Sequence, residues 1–207
     1  MPLIATKGED RPLAPAGTHL AICYMVLDLG IQKTSFEGQD GQTHKCFVGW
    51  ELPNEKMDDG RPFVISKEYT VSVSPKSNLY ADLVSWRGRE FTDEELGGFD
   101  IFNVMGAPAM LSVVHKTSKK GNNYAAVGAV SKAMKGMEIP KPENPLIKFS
   151  LSDGTPMPEG IYDWLKDKIN SRVADNWAEF NEAHDGPSRT PIPNDMGEPD
   201  IDSEIPF

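Results

Sequence analysis

A chain of 207 residues, 39% hydrophobic and 25% charged, can bury one good core, so one domain with appendages is the default organisation. No apolar run reaches the roughly eighteen residues of a membrane-spanning helix, and the first ten residues lack the basic-then-apolar layout of a secretory signal, so no membrane partner and a cytoplasmic location are expected. Two cysteines, Cys23 and Cys46, are too few for a disulfide framework, and redox chemistry is not indicated.

The net charge of −10 argues at first against a nucleic-acid partner, because phosphate binding is driven by Lys and Arg displacing counterions. Its distribution reverses that reading. Residues 181–207 hold Glu182, Asp185, Asp195, Glu198, Asp200, Asp202 and Glu204 against Arg189 alone. Within 110–150 the sign is opposite: Lys116, Lys119, Lys120, Lys132, Lys135, Lys141 and Lys148 face only Glu138 and Glu143. A basic stretch in the body and an acidic appendage are what a binding groove and its competitor would look like.

Residues 1–16 carry three prolines and no apolar periodicity and read as a mobile arm. Thr18 to Gln32 is almost continuously apolar, which suits a strand covered on both faces. A polar excursion then leads to a second strand, His44 to Leu52. Its alternation puts Cys46, Val48, Trp50 and Leu52 on the core face and Lys45, Phe47, Gly49 and Glu51 on the other. Lys67 to Ser74 alternates in the same way, with Tyr69, Val71 and Val73 inward, and Pro75 stops it. Leu79, Leu83 and Trp86 recur at helical spacing, and Thr92-Asp93-Glu94-Glu95 has the form of a capping box. Ala109 to Lys116 and Asn123 to Val130 form two more strands, joined by a turn around Gly121-Asn122. After a Pro-rich connector come a short strand at Leu146 to Leu151 and a helix over about Gly160 to Phe180. Ile161, Trp164, Leu165, Ile169, Val173 and Trp177 make one stripe of that helix, which should pack on the barrel.

Three strands, a helix and two strands is the order of the OB-fold, a five-stranded Greek-key barrel that receives oligonucleotides on its strand 2–3 face and on two of its loops. The expected fold is therefore mainly β: an OB-fold barrel over 17–136, with a helix between strands 3 and 4. An extension over 137–180 adds a strand and a C-terminal helix, and 181–207 forms a disordered acidic tail, too polar and Pro-rich to bury enough surface to fold.

The end of that tail turns apolar again, at Ile205-Pro206-Phe207. Acids leading to this tip resemble the C-terminus of bacterial single-stranded DNA-binding proteins, and tails of that type also occur in phage-encoded proteins of the same function. The resemblance implies recruitment of replication, recombination or repair proteins. Phe207 offers an aromatic plug with a carboxylate for an Arg to grip, beside Ile205 and Pro206, while Asp200, Asp202 and Glu204 suit a basic rim. In the body, Thr18-His19-Leu20-Ala21-Ile22-Cys23-Tyr24-Met25-Val26-Leu27-Asp28-Leu29-Gly30, Trp50-Glu51-Leu52-Pro53 and Trp86-Arg87-Gly88-Arg89-Glu90-Phe91-Thr92 look like a family of bacteriophage replication proteins identified as single-stranded DNA-binding. That likeness spans roughly residues 15–175 and carries no catalytic motif; a phage protein acting in the bacterial host cytoplasm is what it implies.

The contacts themselves follow from physics. Holding single strands without sequence preference needs rings on which bases stack and cations that track phosphates. Lys45 and Phe47 combine both on one strand face, unless the C-terminal helix covers Phe47. Lys116, Lys119, Lys120 and Tyr124 bracket the hairpin expected between the fourth and fifth strands, and Phe36 sits in the loop between the first two strands. Arg87 and Arg89 could clamp phosphate or merely cap helix carbonyls, whereas Trp86 continues the Leu79 and Leu83 stripe into the core.

Other chemistries fit less well. His19, Cys23, His44 and Cys46 lack the short clips of structural zinc. Ser118-Lys119-Lys120-Gly121 lacks the spacing of a phosphate loop and precedes a strand. Glu51, Asp58, Asp59, Asp82, Asp93, Glu94 and Glu95 are read as falling in loops and helix starts, where acids cap and solvate, so a metal-dependent nuclease is not favoured. The expectation is a non-enzymatic protein, with no catalytic residue, metal or cofactor, that binds single-stranded DNA. Its rival is a barrel that docks replisome or recombination proteins without touching DNA.

Overall fold

The computed structural model describes residues 12–36 and 39–183. β1 (Gly17–Phe36) is the spine of a six-stranded sheet. It pairs antiparallel with β2 (Gln39–Lys56) from Ile22↔Glu51 to Phe36↔Gln39, and along Gly17–Ile22 with β4 (Pro108–Thr117). β3 (Pro62–Thr70) extends the sheet beyond β2 and β5 (Asn123–Lys132) extends it beyond β4, giving the antiparallel path β3-β2-β1-β4-β5. β6 (Ile147–Phe149) runs parallel to β1 at Met25–Leu27, on the edge that β4 leaves at Ile22. Register shifts at Cys23/Met25 and Asp28/Gly30 put bulges in β1, the device by which one strand bends.

Helix α1 (Asn78–Arg87) starts where Ser77 Oγ accepts the Tyr80 N–H and ends at Gly88, whose φ of 67° supplies the left-handed cap. It lies against both β3 and β5, the two ends of the strand path. Leu79, Leu83 and Trp86 enter the core, and Asp82 fixes the docking by accepting Tyr69 Oη at 2.7 Å and Lys67 Nζ at 2.9 Å. The short helix α2 (Asp93–Leu96) carries the expected capping box between Thr92 and Glu95. The core face of β2 is as expected: Cys46, Val48, Trp50 and Leu52 all join the cluster closed by α1.

A second apolar cluster occupies the opposite face of β1 and β2. Tyr24, Leu27, Leu29 and Phe47 pack there against Ile147 and Phe149 of β6, Ile161, and Leu165 and Ile169 of helix α3 (Asp163–Asn170). Each such burial contributes on the order of 1.5–3 kcal/mol. The near-continuous apolarity of β1 reflects these two layers, one on each side.

Several boundaries differ from the sequence reading. The polar excursion expected between the first two strands is itself paired, from Lys33↔Gln42 to Phe36↔Gln39, so Phe36 ends β1 instead of sitting in a loop. The third strand begins at Pro62 and stops at Thr70, so Val71 packs on the core from beyond the strand end. The last helix is broken: after α3 the chain turns through an irregular segment with one bridge residue, Ala174, and helix α4 (Trp177–Ala183) follows. In between, Val173 N–H donates to the Ile31 carbonyl and Ile31 N–H to the Ala174 carbonyl, both at 2.8 Å, satisfying an edge of β1 that helix could not. Gly30 makes this possible, since a Cβ there would stand 2.8 Å from the Ala174 carbonyl oxygen, at a φ of 69° that L residues avoid. The end of the N-terminal arm is anchored rather than loose: Ala14 is buried, and its carbonyl lies 2.8 Å from His115 Nε2.

Candidate nucleic-acid interface

The β2 face read as a binding surface is not one. Phe47 is 2% exposed, its ring edge-on to Trp164 of α3 at 5.8 Å between centroids, so no ring face remains for a base. Lys45 is 8% exposed and donates to Thr70 Oγ1 at 3.1 Å. Burial lowers its ammonium below the usual lysine range, partly countered by Glu68, which also accepts Lys168 Nζ at 2.6 Å. The sequence indicated that β1 is covered on both sides; β2, paired with it and carrying Phe47 on its second face, shares the cover.

Arg87 and Arg89 share one carboxylate, and Arg87 is drawn inward by it while Arg89 stays exposed. Both donate to Glu95, Arg89 at 2.7 and 2.9 Å. Arg87 also lies over Phe91, 4.4 Å from the ring centroid, and over Phe99 at 5.2 Å. Tyr80 stacks on the same Phe91 at 5.3 Å. The arrangement holds the α1–α2 turn together and leaves no phosphate clamp at Arg87.

The β4–β5 hairpin is where expected residues meet. Lys116 on β4 and Tyr124 on β5 are direct cross-strand partners, and Lys119 and Lys120 sit exposed in the turn beyond them. Opposed residues on one sheet face have Cβ atoms about 4.5–5.5 Å apart, so a cation and a ring share one patch beside a cationic tip. Both side chains are half-buried, which restrains them without hiding them. Phe36 closes β1, and its side chain lies outside the described residues, as do Asp200, Asp202, Glu204, Ile205, Pro206 and Phe207 of the tail.

One functional-looking group was misplaced by pattern reading. Glu51, expected on the outward face, is fully buried and accepts from the N–H groups of Glu143 and Asn144 and from Asn144 Nδ2, all at 2.8 Å. Its polar outward position in β2 gave no sign of the connector that closes over it. Among the described residues no group of three or more His, Cys, Asp or Glu is disposed to hold a metal ion.

No protein-family profile matches the chain, and a search of curated proteins finds no match.

Proposed function

We propose that the protein binds single-stranded DNA through the β4–β5 hairpin, without catalysis, in replication, recombination or repair. The observation that carries this reading is the cross-strand pair of Lys116 and Tyr124 next to Lys119 and Lys120. Ring stacking contributes about 1–3 kcal/mol per base, and each phosphate contact adds a salt-dependent increment. The strand path, with α1 between β3 and β4 and lying against both β3 and β5, supports reading the sheet as an OB-fold, in which the hairpin corresponds to the fourth-to-fifth strand loop. The acidic segment around Asp200, Asp202, Glu204 and Ile205-Pro206-Phe207 has the chemistry to recruit partners with a basic, apolar pocket.

The test is the salt dependence of oligonucleotide binding by wild type and by Lys116→Ala/Lys119→Ala/Lys120→Ala. Losing three phosphate contacts makes the slope of log K against log salt shallower by about 2. A triple variant with unchanged affinity and slope would remove the hairpin from the interface.

A further inference from the structure

We infer that the bound strand runs along the outward face of the β4–β5 hairpin, not across β2 and β3. This rests on the single-stranded DNA-binding reading and names the surface that carries it. The β2–β3 route is closed by a fixed wall: Phe47, Leu27 and Leu29 are sealed under Leu165, Ile169 and Phe149, and lifting that layer would expose a whole apolar cluster. Lys45, Glu68 and Lys168 are likewise engaged with one another and with Thr70 beneath α3.

The hairpin face is different in cover and in charge. Ala109, Leu111 and Val113 point into the core, so the alternate residues Met110, Ser112, Val114 and Lys116 face outward, opposite Ser131, Ala129, Ala126 and Tyr124. None of these eight belongs to any of the three apolar clusters of the described residues. Ala129 and Ser131 are exposed, and Ser112, Val114 and Ala126 are half-buried.

Charge then selects the occupant. The chain has 31 Asp and Glu, yet not one falls between Asp100 and Glu138, an interval that contains both strands and holds Lys116, Lys119, Lys120, Lys132 and Lys135. Two strands free of carboxylates, with Lys116, Lys119 and Lys120 gathered at the turn end, complement a polyanion; Lys132, paired with Ala109 and lying against Gly88, belongs to the other face. From Tyr124 to Lys132 the strand spans about 25 Å, room for several nucleotides and within the range of site sizes, about 4–16 nucleotides, that such barrels cover. The small side chains between the ends let a strand approach the backbone, and Tyr124 supplies the stacking ring.

The experiment titrates the full chain with a fluorescent oligothymidylate of about 15 nucleotides and follows anisotropy, with thermal melting as a control on folding. Ser112→Glu and Ala126→Glu, each placing a carboxylate on the hairpin face, should weaken binding at least tenfold. Lys166→Glu on the solvent side of α3 should change it less than twofold. Ala129→Lys, at an exposed position that tolerates a side chain, should tighten binding and so decides the matter if either Glu variant fails to fold. Wild-type binding that is indifferent to the Ser112, Ala126 and Ala129 changes but weakened by Lys166→Glu overturns the path alone. A wild type that binds no oligonucleotide overturns the DNA-binding reading and the path with it.

Discussion

The carboxylate of Glu51, on β2, is fully buried and grips Asn144 twice, through its backbone N–H and its Nδ2, each at 2.8 Å. With the Glu143 N–H these contacts supply three donors to one charge, which pins the connector before β6 to the sheet. Lys56 adds an ion pair to Glu143 at the surface. Glu51→Gln replaces an acceptor by an N–H group facing other N–H groups and should cost about 2 kcal/mol. Glu51→Ala, which leaves all three donors unpaired, should cost somewhat more, about 3 kcal/mol. Urea unfolding with an unchanged m-value would show it, and a midpoint equal to that of wild type would refute the latch.

Phe47 is a wall residue, so its removal should act on stability and not on DNA. Phe47→Ala should lose about 3–5 kcal/mol by leaving a cavity under Trp164 and Leu165, while Phe47→Leu should lose far less. Oligonucleotide affinity of the folded Phe47→Leu variant should stay within twofold of wild type. A stacking role predicts the reverse: little change in melting and a large loss of affinity.

The contrast between Phe47 and Tyr124 shows what was legible in the sequence. Period-two alternation placed Cys46, Val48, Trp50 and Leu52 on one face of β2 correctly, because an inward face must be apolar whatever covers the other. What lies on the second face depends on distant segments, here β6 and α3, and alternation is silent about them. Helical spacing likewise found the Leu165 and Ile169 stripe but missed the break after α3, because that break follows from the open edge of β1 at Ile31, a tertiary demand. The β4–β5 hairpin was readable because its pairing is local, and so were Lys116 and Tyr124. Arg87 was not, since its partner Glu95 reaches it only through the fold of the α1–α2 turn.

Glu95 makes the acid response of that turn specific. Hydrogen bonds from Arg89 first, then the Thr92 N–H and Arg87, hold its carboxyl at about 2, below its ordinary value of 4.5. The folded value is the depressed one, so the contribution of Glu95 is present in full above about pH 4.5 and is lost as the pH falls towards 2. Carboxyl NMR should therefore find its titration midpoint near 2 in the folded protein. Glu95→Gln should flatten the pH dependence of stability across that window, and a midpoint near 4.5 would contradict the Arg89 and Arg87 contacts.

Burial pushes the Cys23 and Cys46 thiols up to about 12, so neither forms thiolate at pH 8 in the folded state. A chromogenic disulfide reagent should find both unreactive in native protein and both reactive in urea. Rapid native labelling of either would place it outside the core, against its neighbours Val26, Trp50 and Tyr69.

The most direct test of the account is a fluorescence anisotropy titration of the full chain with a single-stranded oligonucleotide and with its duplex at several salt concentrations. A ring-and-lysine hairpin should hold the single strand at least tenfold more tightly than the duplex, with affinity falling linearly in log salt. Equal or tighter binding of the duplex, or no binding of the single strand at low salt, would contradict it.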